Sequence, residues 1–166
     1  MMTYQVLAFA LAIVFVANIS HIAGVAQVFN YNVTVKTSGS TKFTDHDGKL
    51  KLSVISTNGT KVSQADFVLT PNDVNLAMNR NYTSLIASFA PLNNITSVYL
   101  RWTLSSPYNP YYAIKKPSIF FDPIVFVYNY IDPRTHISSK LSRKFCPPTQ
   151  PIGIKHSDGA SFYPCV

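Results

Sequence analysis

The chain has 166 residues, with 14 Lys or Arg and 7 acidic residues, so its formal net charge at pH 7 is +7. All the acidic residues are Asp, which excludes acid–base chemistry built on glutamate. The positive charge favours acidic partners such as anionic lipid headgroups, sulfated glycans or an acidic protein face. Because the basic residues are scattered and the chain has the marks of secretion described next, we expect no nucleic-acid partner.

The N-terminus has the features of a secretory signal peptide. An apolar run extends from Val6 to Val16, and small residues precede a cleavage site after Ala26. The run is too short to span a bilayer as a helix. We therefore predict a signal peptide over residues 1–26, a single mature domain over 27–166, and secretion. The alternative is a buried N-terminal helix.

Four N-x-[ST] sequons support this compartment, and we predict glycosylation at their asparagines. They are Asn32, Asn58, Asn81 and Asn94. Sequons that lie inside strands are the ones expected to remain unused.

Cys146 and Cys165 are the only cysteines in the sequence. A catalytic thiol would need a reducing or protected site, and a zinc clip would need ligands beyond the neighbouring His156. In a secreted chain a pair of cysteines points to a disulfide. We predict this bond, and closing a loop of about 20 residues should contribute about 3 kcal/mol to stability.

Alternation of apolar and polar residues, as over 28–37, predicts strands through most of the mature chain. A weak helical pattern covers 73–79, and near the C-terminus Ile137, Leu141 and Phe145 continue the strand pattern with looser spacing than strict alternation. The predicted strands are 28–37, 49–56, 65–70, 82–90, 95–104, 118–131 (interrupted at Pro123), 135–145 and 160–165. Short strands at such intervals predict an all-β domain, an antiparallel β-sandwich of about eight strands.

No motif of a catalytic site is present. The sequence lacks a G-x-S-x-G elbow, and the nearest stretch, residues 157–159 (SDG), has the wrong order. His46, His136 and His156 lie far apart in sequence and are expected to be ordinary loop or strand residues. We predict no catalytic residue and no enzymatic activity.

The stretch DHDGKLKLS begins like the loop of an EF-hand calcium site, with Asp45 and Asp47 ahead of Gly48. An EF-hand loop also needs a third oxygen donor before its glycine and a bidentate Glu at its end, and both are absent. A hairpin turn with Asp47-Gly48 at its corner explains the same residues. We predict no metal site and no cofactor.

The stretch RWTLSSPYNPYYAIKKPSIFFDP places aromatic rings and lysines between two predicted strands. Rings that settle at headgroup level, followed by cations that meet phosphates, suit a loop that contacts a lipid surface. The alternative is that the rings cap the end of the sandwich and are buried. The candidate contact residues are Tyr108, Tyr111, Tyr112, Lys115, Lys116, Phe120 and Phe121.

Four stretches in order, YNVTVKTSG, LKLSVISTNGTKVSQADFVLTPN, NYTSLIASFAPLNNITSVYLRWTLSS and the closing KFCPP…YPC, resemble a known domain. It is the C-terminal β-sandwich of pancreatic and lipoprotein lipases, a member of the PLAT/LH2 group. The resemblance covers residues 27–166, essentially all of the mature chain. No part of the chain resembles the lipase catalytic domain.

The resemblance implies a binding module instead of a catalyst. In those lipases the sandwich presents the enzyme to lipid surfaces and docks protein cofactors. The loop after the tryptophan position, here Trp102, contacts lipid in lipoprotein lipase, and this chain has tyrosines where that loop has tryptophans. The family's final disulfide falls where Cys146 and Cys165 stand. We expect a lipid-surface or lipid-ligand partner; the alternative is a protein-docking adaptor or inhibitor that engages a lipase partner or receptor.

Overall fold

The computed structural model describes residues 27–39, 45–106, 110, 112 and 116–166. These residues form eleven β-strands and one short 3₁₀ helix. The elements are β1 (Phe29–Lys36), β2 (His46–Asn58), β3 (Lys61–Val68), β4 (Val74–Leu76), β5 (Asn81–Ser88), η1 (Leu92–Asn94), β6 (Ile95–Leu104), β7 (Ser118–Phe121), β8 (Ile124–Ile131), β9 (Ser138–Cys146), β10 (Ile152–Lys155) and β11 (Gly159–Pro164). The predicted signal peptide lies outside the described residues, and no helix in the described part is long and apolar enough to cross a membrane.

The strands form an antiparallel sandwich. The large sheet has the order β3–β2–β6–β11–β9–β8–β1–β5, with β4 beside β2, and β7 pairs separately with β10. Strand β11 joins two layers, because residues 159–162 pair with β6 whereas Tyr163 and Pro164 pair with β9. We call β3–β2–β6 the first layer and β9–β8–β1–β5 the second layer. The predicted all-β antiparallel β-sandwich is confirmed.

The core lies between the inward faces of the two layers, as the alternating patterns predicted. Tyr31 and Val33 of β1 are fully buried, and they share one buried cluster with Leu50 and Leu52 of β2 in the other layer. Burying one such side chain stabilises the fold by about 1.5–3 kcal/mol. Further large, fully buried side chains are Trp102, Phe121, Phe126, Phe145 and Phe162.

The turn between β2 and β3 is made at Gly59, and the predicted hairpin corner at Asp47-Gly48 is wrong. Gly59 has a φ of 60°, a conformation that glycine adopts without steric cost in two-residue hairpin loops. Gly48 lies inside β2, where a Cβ atom would be 2.5 Å from the carbonyl oxygen of Thr103 on β6. The glycine at position 48 therefore serves a close approach between two strands.

Other predicted elements were corrected in part. Pro123 does separate β7 from β8, but the weak helical pattern over 73–79 contains strand β4 instead. Ile137 and Leu141, whose spacing was looser than strict alternation, are exposed over 63% and 48% of their surfaces. Within the described part of the chain, β11 pairs with β9 only at Phe145 and Cys146, so the earlier part of β9 pairs with β8 alone.

The predicted disulfide between Cys146 and Cys165 is present. It joins the last residue of β9 to the residue that follows β11, across a sequence separation of 19. Constraining a loop of this size in the unfolded chain contributes about 3 kcal/mol to stability. The bond therefore fixes the C-terminus beside the second layer.

Candidate functional site

Two ends of the sandwich are distinguished below. Strand β2 begins at His46 next to the place where β6 ends at Leu104, and we call this the upper end. The opposite, lower end lies where β2 ends at Asn58 and β6 begins at Ile95. The loop that was predicted to contact lipid leaves β6 and returns to β7 at the upper end.

An aromatic cluster supports the upper end; it consists of His46, Trp102, Tyr112 and His156, and we call it the upper cluster. The imidazole of His46 stacks on the Trp102 indole at a centroid distance of 5.9 Å, and His156 meets the same indole edge-on at 5.7 Å. Tyr112 contacts His46 edge-on at 6.0 Å. Stacked and edge-on rings at such distances stabilise a cluster by about 0.5–1.5 kcal/mol per pair beyond simple burial.

Hydrogen bonds fix the orientation of this cluster. The indole Nε1–H of Trp102, which is fully buried, donates to the Ile154 carbonyl oxygen at 2.7 Å. The Leu104 backbone N–H donates to Nδ1 of His156 at 3.1 Å. Both bonds tie the end of β6 to the segment around β10. The base of the loop is therefore held by side chains from distant parts of the sequence.

The two histidines of the cluster favour the neutral form. Burial lowers the pKa of His156, and the nearby charge of Lys116 lowers it further, while Asp158 opposes them. Burial also lowers the pKa of His46, against the opposing charges of its two neighbouring aspartates. At neutral pH the upper cluster thus carries no imidazolium charge.

The contact between His156 and Ser157 is not arranged as a base and a nucleophile. Because the Leu104 N–H occupies Nδ1, the proton of neutral His156 sits on Nε2, which lies 3.0 Å from the Ser157 hydroxyl oxygen. Nε2 therefore donates to the serine and does not take its proton. A serine activated by histidine needs the reverse arrangement.

The predicted contact residues fall into three groups. Tyr108, Tyr111 and Lys115 lie outside the described residues. Tyr112 is half-buried in the upper cluster, and Lys116 is exposed with an ion pair to Asp158 at 3.7 Å. A surface pair of this kind contributes about 0–1 kcal/mol, so it leaves the lysine charge available to a partner.

The two phenylalanines of the predicted contact set belong to β7 and behave differently. Phe120 is half-buried and lies over Gly153 of β10, where a Cβ atom would be 2.8 Å from its ring. Phe121 is fully buried in the core. The prediction that Phe121 contacts lipid or a partner is therefore corrected, because alternation along β7 turns every second side chain inward.

The four sequons lie on the second layer and at the lower end. Asn32 is half-buried on the outward face of β1, and Asn81 begins the neighbouring strand β5. Asn58 ends β2 and Asn94 ends η1, both at the lower end. Glycosylation at these positions stays a prediction. Asn81 follows shortly after Leu76, which pairs with His46, so a glycan on Asn81 would lie near the upper end. Glycans at the four positions would leave the outward face of the first layer uncovered.

The two aspartates of the calcium-like stretch make hydrogen bonds within the protein. Asp45 accepts a bond from the Met78 backbone N–H at 3.2 Å, and Asp47 accepts one from the Asn75 side-chain amide at 3.0 Å. They brace the segment around β4 against the start of β2. Among the residues that the structure describes, no group of three or more potential metal ligands was found.

Comparison with known proteins identifies the fold but no family. No family model and no curated protein sequence matches the chain. Among solved structures, a lipoxygenase deletion variant matches with a TM-score of 0.53 and 13% identity, over 84% of this chain and 17% of that one. A variant crystallised anaerobically in complex with arachidonate matches with a TM-score of 0.52 at the same identity and coverage. The chain thus spans about a sixth of those lipoxygenases, and the likeness concerns the sandwich fold alone.

Proposed function

We propose that this protein is a secreted, non-catalytic PLAT-like β-sandwich that binds a lipid surface through the loop at its upper end. The upper cluster is the observation that carries the proposal. It fixes both the end of β6 and Tyr112 of the loop by ring contacts and by a hydrogen bond from buried Trp102. A rigid base of this kind allows a loop to present rings to an interface without losing its position.

Charge supports the same end of the molecule. Lys116 lies in the loop, and its side chain is half exposed beside Asp158. The chain as a whole carries a formal charge of +7. Near an anionic membrane each cation contributes about 1 kcal/mol of attraction. Aromatic rings and lysines in one loop are the pair of features that an interfacial segment requires.

The chemistry of the upper end favours binding over catalysis. The hydroxyl of Ser157 accepts a hydrogen bond from Nε2 of His156, so this histidine is not placed to take the serine proton. The likeness to part of a lipoxygenase concerns a region that spans 17% of that chain, so no reaction is transferred from it.

The test is flotation of the secreted protein with vesicles of phosphatidylcholine, alone and with 30% phosphatidylglycerol as an anionic lipid. We expect flotation with both and more with the anionic vesicles, and replacing Tyr108 and Tyr111 by Ser should reduce flotation at least fivefold. Tyr163→Ser is the matched control, because this tyrosine is 55% exposed on β11, outside the loop. Flotation of the double variant at the wild-type level would contradict the proposal.

A second candidate function, docking to a protein, is favoured by the lower end. The large apolar side chains exposed there include Phe89 by 71%, Ile131 by 68% and Ile137 by 63%. Exposed apolar residues that gather at one place often mark a protein contact. Capture of a partner from secreted fluid in detergent, lost in Ile131→Ser/Ile137→Ser, would favour docking, because detergent removes capture that lipid mediates.

A further inference from the structure

A groove of about 300 Å³ lies on the outward face of the first layer, where β3, β2 and β6 run side by side. We call it the outer groove. None of the predicted contact residues lines it, and it lies on the face that the sequons leave uncovered. The lining residues that matter here are Lys51, Ser53, Asp66, Tyr99 and Arg101.

Two cations face each other at one end of the outer groove. Lys51 of β2 pairs directly with Arg101 of β6, and both side chains are exposed. Like charges at directly opposed positions destabilise a strand pair. Neither cation forms an ion pair with any residue that the structure describes. A bound anion would relieve this repulsion.

A carboxylate occupies the other end, in the row where the backbone of Tyr99 lies. Across the strands, Asp66 faces Ser53, and Ser53 in turn faces Tyr99. This row is two residues, or about 7 Å, from the row of cations. Hydrogen bonds from Ser53 and then from Gln64, whose amide lies 2.9 Å from the carboxylate, lower the pKa of Asp66. The carboxylate is therefore charged at neutral pH.

The Tyr99 ring is placed by a glycine. A Cβ atom at Gly159 of β11 would be 2.4 to 2.5 Å from three atoms of the Tyr99 phenol, so any other residue there would push the ring away. The ring thus leans over β11, with its hydroxyl end beside the row of Arg101, and forms the wall of the groove on that side. An aromatic face held in this way attracts cations, and quaternary ammonium groups in particular.

From this arrangement we propose that the outer groove binds the phosphocholine group of a zwitterionic phospholipid. Arg101 and Lys51 bind the phosphate oxygens, and Tyr99 and Asp66 bind the trimethylammonium. The planar guanidinium suits phosphate because its N–H donors act in pairs. A simple anion would be repelled by Asp66, and a simple cation by the two basic residues, whereas a zwitterion satisfies both ends. The inference rests on the proposed function for its lipid source and adds the headgroup.

The first test uses soluble phosphocholine. Titration of the protein with phosphocholine, followed by NMR, should shift the backbone signals around Lys51, Asp66 and Tyr99. We expect phosphocholine to bind at least tenfold more tightly than either choline or inorganic phosphate. Equal binding of phosphate and phosphocholine, or shifts confined to other strands, would overturn the proposal.

Variants then separate the two ends of the groove. Arg101→Gln and Asp66→Asn should each weaken phosphocholine binding at least fivefold. Lys140→Gln is the matched control, an exposed lysine on β9 in the second layer. Arg101→Gln should keep or raise the melting temperature, because it removes the repulsion from Lys51. Loss of binding together with loss of stability in this variant would count against a direct contact.

Vesicles test the lipid source separately. Tyr108→Ser/Tyr111→Ser should lose flotation and keep its affinity for soluble phosphocholine, whereas Arg101→Gln should lose flotation on phosphatidylcholine vesicles. If the wild type floats but does not bind phosphocholine, the inference is wrong while the proposed function stands. If it binds phosphocholine but never phosphatidylcholine vesicles, the assignment to a lipid headgroup is wrong.

Discussion

The upper and lower ends of the sandwich both bury aromatic rings, but the ionisable groups among those rings differ. At the upper end the indole of Trp102 lies between two imidazoles, those of His46 and His156. At the lower end the rings are phenols and phenyls: Tyr31 stacks on Phe29 at 6.3 Å and meets Tyr128 at 5.7 Å. The imidazoles of the upper end can gain a proton at low pH, whereas the phenols of the lower end can lose one at high pH.

The polar anchors of the two ends differ as well. Trp102 donates to the Ile154 carbonyl from a fully buried position, so the upper cluster depends on the segment around β10. The hydroxyl of Tyr31 donates to the Ala90 carbonyl oxygen at 2.7 Å, which holds the segment between β5 and η1. The lower rings continue outward to half-buried Tyr130, stacked on Tyr128 at 5.5 Å. The aromatic rings of the upper end thus surround one fully buried indole, whereas those of the lower end become progressively more exposed toward Tyr130.

Removing one ring from each end tests most directly whether the two ends differ in their contribution to stability. Trp102→Ala leaves a large cavity and an unpaired Ile154 carbonyl, and we expect it to lower the free energy of unfolding by about 3–5 kcal/mol. Tyr130→Ala removes a half-exposed ring and should cost about 1 kcal/mol or less. Urea denaturation followed by far-UV circular dichroism measures both.

The outcome also tests the support that the upper cluster gives to the loop. If Trp102→Ala is no more destabilising than Tyr130→Ala, the upper end is not the more tightly closed of the two. Trp102→Phe is the companion variant, because it keeps most of the ring and removes the indole N–H. Its cost should lie between the other two.

Much of the fold could be predicted because alternation reports directly on burial. Strand β6 was predicted with its observed bounds, Ile95–Leu104, since its apolar residues recur at every second position. β4 and β10 were not predicted, because three or four residues are too few to show a period. Exposure of Leu141 could not be predicted, because it depends on where β11 leaves β9, and no local pattern reports that.

The candidate site was less predictable, since it depends on register. Lys51 and Arg101 both alternate outward in their strands, but only the pairing of β2 with β6 makes them direct neighbours. The upper cluster likewise joins His46, Trp102 and His156, which are distant in sequence and gave no motif. By contrast, the aromatic and lysine-rich composition of the loop between β6 and β7 is a local feature, so it could be recognised from the sequence without knowledge of the fold.

The lower end is also held together by a cation, Arg143 of β9. Nη1 of Arg143 donates to the carbonyl oxygens of Leu92, Asn93 and Ile95, at 2.8 to 3.1 Å, and its guanidinium lies 5.6 Å from the Phe145 ring centroid. It therefore fastens η1 and the start of β6, in the first layer, to β9 in the second layer. Hydrogen bonds from a charged group contribute about 1.5–3 kcal/mol.

We expect Arg143→Met to lower the free energy of unfolding by about 2 kcal/mol, because the apolar stem is kept while the donors are lost. Hydrogen exchange should quicken at the lower end around η1, with the upper end unchanged. Lys144→Met is the matched control, an exposed neighbour on β9. Faster exchange at both ends would show that the two do not open independently.

The smallest and most discriminating effect concerns pH. Burial, with a smaller contribution from Tyr128, raises the pKa of Tyr31 from 10.0 to about 12. The unfolded chain then loses this proton more readily than the folded one, so stability is present below pH 10 and is lost as pH rises toward 12. Tyr31→Phe should flatten this alkaline loss, as measured by melting temperature between pH 8 and 11.

The upper end should respond in the opposite direction. The pKa values of His46 and His156 are lowered from 6.5, so the unfolded chain takes up protons that the folded chain resists. Their contribution is intact above pH 6.5 and is lost as pH falls below it. His156→Gln should flatten the acid loss between pH 7.5 and 5 and leave the alkaline one unchanged. If either variant reduced both the acid and the alkaline loss of stability, the two ends would titrate together. The distinction drawn here between the upper and the lower end would then be wrong.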